Sequence, residues 1–87
     1  MEFEWDEAKR VANLTEHGLD FAEVAGLGWA NAIIIRDVRR DYGEARFQAF
    51  ATLEARLHQV TFTRRGTVIR VLSFRQASRK ERRPYGR

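Results

Sequence analysis

The sequence has no cysteine, so disulfides and thiolate metal sites are excluded. Its single proline argues against a long disordered linker. The two histidines, His17 and His58, cannot by themselves build an ordinary zinc site. No apolar run approaches the roughly 20 residues that a membrane helix needs. The opening Met1-Glu2-Phe3-Glu4 lacks the basic-then-apolar pattern of a signal peptide. These absences predict a soluble cytoplasmic protein with no cofactor, no metal and no membrane partner. With 87 residues the chain makes one domain, spanning 1–87. A chain this short buries only about two-thirds of its unfolded surface, so its core is modest.

What the chain has in plenty is arginine, and it is segregated. The segment Arg64 to Arg87 holds nine basic residues against one acid, Glu81, a net +8. The whole chain carries +4, so residues 1–63 carry −4. An apolar stretch, Val68-Ile69-Arg70-Val71-Leu72, runs through the basic part and reads as an inner strand. Arginines flanking a strand are held on a fixed surface, and their planar forks match phosphate oxygens. The polarity of charge predicts a nucleic acid or an acidic protein as partner.

Periodicity supplies the elements. Glu2 to Trp5 alternates as a short strand. Asp6 is an N-cap for a helix from Glu7 to His17, with Ala8, Val11, Ala12 and Leu14 as its apolar side and Gly18 as its stop. Asp20 and Glu23 resemble a capping box opening a second helix with Phe21, Val24, Ala25 and Leu27 inward. Strands are predicted over Asn31–Asp37, Arg46–Leu53, Leu57–Thr63 and Thr67–Phe74, with Arg65-Gly66 as a hairpin turn. The β-branched run Ile33-Ile34-Ile35 reads as a buried strand; as an exposed edge it would invite strand addition by a partner. Gln76 to Arg83 forms a short helix with Ser78 as N-cap. The expected fold is α+β: two N-terminal helices packed on one face of a mainly antiparallel sheet, with a short C-terminal helix.

Two blocks of residues resemble the BrnT toxins. The first is Phe3-Glu4-Trp5-Asp6 with Lys9, Asn13, His17-Gly18 and Phe21. The second is Ile69-Arg70-Val71-Leu72-Ser73 with Arg75, Ala77, Glu81-Arg82 and Tyr85. They occur in order and near the two ends of the chain. The sequence departs from the family's common pattern at Phe74 and at Gly28-Trp29. The resemblance implies a RelE-like fold and a ribonuclease toxin of a type II toxin–antitoxin pair that arrests translation. It further implies a small ribbon-helix-helix antitoxin (BrnA-like) as partner, an RNA substrate, and contact with operator DNA only through the antitoxin complex. A non-catalytic basic binding module and a ParE-like gyrase inhibitor are the alternative functions.

Metal-independent RNA cleavage needs a base for the 2′-OH, cations for the phosphorane and an acid for the leaving 5′-oxygen. Arg75, just past the predicted inner strand, and Arg64, at the hairpin turn, are the cation candidates. Arg70 could join them in one pocket or pair with a carboxylate. Histidine is the side chain that titrates near neutrality, which makes His17 a candidate base; its place before Gly18 also suits a helix cap. Lys9, Asn13 and His17 share one helical face, and Lys9 is either a phosphate ligand or an ion-pair partner of Asp6. Glu81 and Tyr85 are acid or base candidates, with helix-surface pairing and sheet packing as their plain alternatives. Arg79 and Arg82 in the basic tail are candidate RNA contacts.

Overall fold

The computed structural model describes residues 1–85; Arg87, counted above in the basic segment, lies outside the described residues. Five strands form one sheet: β1 (Glu2–Trp5), β2 (Ile33–Asp37), β3 (Arg46–Leu53), β4 (Arg56–Arg65) and β5 (Val68–Gln76). Their order is β1-β5-β4-β3-β2. β1 runs parallel to β5, and the other neighbours are antiparallel. One α-helix of full length, α1 (Glu7–His17), follows β1, and a single-turn helix, α2 (Arg79–Arg82), follows β5.

The expectation of two N-terminal helices packed on a sheet is overturned. The sheet is mixed, and the segment Phe21–Gly26 is a 3-10 helix rather than a second α-helix. Its Asp20–Glu23 capping box is formed, but its tight winding has a packing cause. Phe21 and Val24 are both fully buried and lie three residues apart. Three residues per turn puts such a pair on one line, which 3.6 does not. Nor does α1 lay an apolar stripe on the sheet. Val11 and Leu14 are exposed, and its one buried residue is Asn13.

Asn13 explains where α1 sits. β1 pairs with β5 only as far as Trp5–Val71, leaving the rest of that edge of β5 open. The Asn13 side-chain amide closes it. Its Oδ1 accepts from the Phe74 N–H (3.0 Å) and its Nδ2 donates to the Phe74 carbonyl (2.8 Å) and to that of Leu19 (3.0 Å). A side-chain amide thus substitutes for the missing strand, satisfying backbone groups that would otherwise be buried and unpaired.

The core lies on one face of the sheet. Phe21, Val24 and Leu27 cover Ala49, Ala51, Val60, Phe62, Ile69, Val71 and Phe74. Trp29 packs against Phe3 and Phe62 at 5.9 Å each and donates its Nε1–H to the Val24 carbonyl. His58 is buried against Phe74. The opposite face carries a small second cluster at one end, Phe50, Leu57 and Ala77, on which Tyr85 packs. Beyond it, β3, β4 and β5 show mainly polar side chains on that face, while Ile33 and Ile35 of β2 add an apolar rim.

Two corrections concern strand edges. Ile33, Ile34 and Ile35 are about half exposed rather than buried, because β2 is the outer strand of the sheet. The β4–β5 turn is Gly66-Thr67, not Arg65-Gly66: Arg65 pairs with Val68, and Gly66 takes φ of +62° at the first turn position. A positive φ there suits glycine.

Candidate functional site

The polar sheet face is built by alternation along three inner strands. Thr63, Thr61 and Gln59 of β4 face it, and β3 adds Arg46 and Gln48 opposite Thr63 and Thr61. β5 adds Arg70 opposite Thr63, Ser73 opposite Thr61 and Arg75 opposite Gln59. Arg70 and Arg75 are five residues apart and would lie on opposite faces of a regular strand. They share a face because the register skips Leu72: Thr61 pairs with Ser73 while Phe62 pairs with Val71. Such a bulge inserts one residue and resets the alternation. Arg70 and Arg75 are then separated by four positions of β4, about 13 Å along the strand.

Arg75 stands at the α2 end of this face. Its guanidinium meets the Glu81 carboxylate as a fork, Nη1–Oε1 at 2.7 Å and Nη2–Oε2 at 2.9 Å. Glu81 is aimed by the start of α2. The Ser78 hydroxyl accepts from the Glu81 N–H, and Glu81 Oε1 accepts from the Ser78 N–H at 2.8 Å. The Arg75 fork, with help from the Ser78 bonds, holds the Glu81 carboxyl down to about 2. The Arg75 guanidinium is shifted up, chiefly by the same bond, while the nearby charge of Arg39 pulls the other way.

Arg39 belongs to a second cluster that sequence reasoning missed. Asp37, buried at the end of β2, accepts from Arg39 Nε (2.9 Å), Arg39 Nη2 (2.8 Å), the Arg39 backbone N–H (3.1 Å) and the Tyr42 hydroxyl (3.1 Å). These bonds, led by the Arg39 side chain, push its pKa well below the usual carboxylate range. The Arg46 guanidinium lies 4.1 Å from the centre of the Tyr42 ring. Between the clusters the floor is unusually unsatisfied. Gln59 and Thr63 are almost fully buried, yet among the described residues Gln59 Oε1, Thr63 Oγ1 and Arg46 Nε have no hydrogen-bond partner. Only a signal in register, Arg46 opposite Thr63 opposite Arg70, could have revealed this row, and register is not written in local sequence.

The expected pocket of Arg64, Arg70 and Arg75 does not form. Arg64 points to the opposite, apolar face, where it lines a cavity of about 200 Å³ with Met1, Trp29, Ile34, Phe47, Phe62 and Ile69. Arg70 pairs with Glu4 of β1. His17 and Lys9 do share a groove, of about 230 Å³, with Asn13, Leu72 and Ser73. It lies along α1 and the outer edge of β5 and does not include Arg75. Asp6 spends its carboxylate capping the Lys9 N–H rather than pairing with the ammonium. Gly18, not the His17 ring, closes the helix through its N–H to the Leu14 carbonyl. Tyr85 stacks on Phe50 with ring centres 6.0 Å apart. Arg82 lines a cavity with Arg56 and Gln76, and Arg79 is exposed. Among the described residues, no helix is long and apolar enough to cross a membrane.

A model of one protein family matches residues 5–81; the family is described as the ribonuclease toxin, BrnT, of type II toxin–antitoxin systems. No curated protein matches the chain.

Proposed function

Because the chain belongs to the BrnT family of type II toxin–antitoxin ribonuclease toxins, with a protein antitoxin as its partner, we propose that its polar sheet face is the RNA site and that it cuts within the RNA chain without a metal ion. The observation that carries this reading is the Arg75–Glu81 fork beside the unsatisfied polar floor, with Arg39, Arg46 and Arg70 standing on the same face. A phosphodiester presents the same pair of acceptor oxygens as the Glu81 carboxylate, so it can take the Arg75 fork.

In the reaction, the 2′-oxygen loses its proton and bonds to the adjacent phosphorus. The P–O5′ bond breaks, and the 5′-oxygen leaves with a proton. The products are a 2′,3′-cyclic phosphate and a 5′-hydroxyl. Arg75 stabilises the extra negative charge on the phosphorane. Glu81, displaced from Arg75 by the phosphate, is an ionised carboxylate next to the reacting centre and accepts the 2′-OH proton. Tyr85, in the same C-terminal segment as Glu81, is the candidate acid. Arg46, Arg39, Arg70, Arg79 and Arg82 hold flanking phosphates. Arrest of translation follows if the RNA cut is messenger. The antitoxin is of the ribbon-helix-helix type, and operator DNA is reached through it.

The test is cleavage of a defined RNA in the presence of a chelator by the purified protein and by Arg75→Ala. Cleavage that survives the chelator and falls at least about a hundredfold in the folded variant is expected. Full cleavage by Arg75→Ala, or loss of all cleavage on chelation, overturns the mechanism. Salt-sensitive RNA binding without any cleavage would instead mark a binding module.

A further inference from the structure

The outer strand β2 is an anomaly for a protein alone in solution. Natural sheets blunt their edges with lysine, proline, a bulge or a covering segment. Here Ile33, Ile34 and Ile35 are each about half exposed, and next along the chain Val38 is more exposed still. β2 pairs with β3 on one side and, among the described residues, has no strand on the other. Its outward N–H and C=O groups are a template for another chain.

Charge specifies what that chain must carry. Ile34 pairs with Ala49 and Arg36 with Phe47, so both point to the apolar face. Ile34 forms one wall of the cavity lined by Trp29, Phe47, Phe62 and Arg64. Arg36 also borders a hollow that holds Asp41 and Glu44; Arg36 of β2 and Arg64 of the Ile34 cavity are both basic. Neither has a hydrogen bond or ion pair among the described residues. Asp37, the acid of the strand, points to the other face and is consumed by Arg39 and Tyr42.

We propose that β2 is the docking edge for the antitoxin, which adds an extended segment whose aliphatic side chain covers Ile34 and the cavity and whose carboxylate pairs with Arg36. The inference rests on the toxin reading only in naming the partner. An added strand brings its residues within about 5 Å of their cross-strand neighbours on β2, which is the distance at which such pairs act. A second copy of this chain fits the charge poorly, since it would offer another basic edge.

The experiment titrates the antitoxin from the adjacent open reading frame onto the full chain by calorimetry, with Arg75→Ala as the background so that neither partner degrades RNA. Ile34→Asp should weaken binding about 30-fold, because it buries a carboxylate at the contact. Arg36→Glu should weaken it about tenfold and Arg36→Lys less than threefold. The same β2 variants on the active background should cut RNA at the normal rate. Should Ile34→Asp fail to fold by circular dichroism, Ile34→Thr replaces it with the same direction of effect. Changes under threefold for both Ile34→Asp and Arg36→Glu overturn the assignment. So does a homodimer in light scattering that Ile34→Asp converts to monomer. A protein that cuts no RNA but still loses antitoxin through β2 retains the docking edge and removes the ribonuclease mechanism.

Discussion

Replacing Glu81 with glutamine separates two roles of one carboxylate. The side chain keeps its length, and its amide oxygen can still accept from the Ser78 N–H, so the start of α2 survives. What is lost is the charged fork to Arg75. Both partners are about a quarter to a third exposed, so solvent screens the pair. Glu81 is shifted from 4.5 to about 2. Taken at face value this is about 3 kcal/mol, and with screening about 1–2 kcal/mol. The melting temperature should therefore fall by about 4–16 °C. RNA binding should move the other way. A phosphate that takes Arg75 must first displace Glu81, and removing that competitor should tighten binding by about 5- to 30-fold. If Glu81 also accepts the 2′-OH proton, single-turnover cleavage falls while affinity rises. Acid provides a second check. A carboxylate whose folded pKa lies below its unfolded value stabilises the fold above the unfolded value. The contribution is lost as pH falls from about 4.5 through about 2. Glu81→Gln should flatten the stability profile in that window. Unchanged RNA affinity together with an unchanged acid profile would refute the competition between carboxylate and phosphate.

Asn13→Ala removes three hydrogen bonds and strands the Phe74 amide, a loss of about 3 kcal/mol; a melting temperature lowered by less than about 4 °C would show that the clamp is idle. In the β3–β4 turn, Glu54 and Ala55 hold φ of +51° and +65°, a region that disfavours both, so Asn-Gly at these positions should raise stability by about 1–2 kcal/mol in urea unfolding. Arg46→Ala should weaken RNA binding and reduce the slope of log affinity against log salt by about one, whatever the RNA sequence. A slope unchanged in that variant would place the RNA elsewhere.

The parts of the fold that were legible in the sequence are those decided within a few residues. Asp6 caps α1, Gly18 ends it in left-handed geometry, and the boxes at Asp20–Glu23 and Ser78–Glu81 are both formed. The alternation of Phe47 and Ala49 against Gln48 and Phe50 gives the correct faces of β3. Distant partners decided the rest. Hydrophobicity marks Ile33–Ile35 as strand, but it does not say whether a strand lies inside the sheet or at its rim. Asn13 reads as a polar face of a helix; its real partner, Phe74, is 61 residues away. Arg75 and Glu81 were both legible as chemistry, six residues apart, but their pairing needs the turn at Ala77-Ser78 that points α2 back over the sheet.

The bulge at Leu72 links these levels. With a regular β5, Phe74 and Arg75 would exchange faces relative to Arg70, and the core would lose an aromatic ring as the polar face lost its fork. The inserted residue keeps Phe74 in the core beside Val60 and leaves Arg75 opposite Gln59. Asn13 then holds the Phe74 backbone from the other edge, one residue from Arg75. The helix next to β5 thereby fixes the height at which the guanidinium meets Glu81, although no atom of α1 touches either side chain among the contacts described. A substitution at Asn13 should accordingly cost RNA cleavage as well as stability, and at a temperature where the variant remains folded the loss should fall on the rate of the chemical step more than on RNA affinity. If cleavage by folded Asn13→Ala matches the parent, the position of Arg75 does not depend on this clamp.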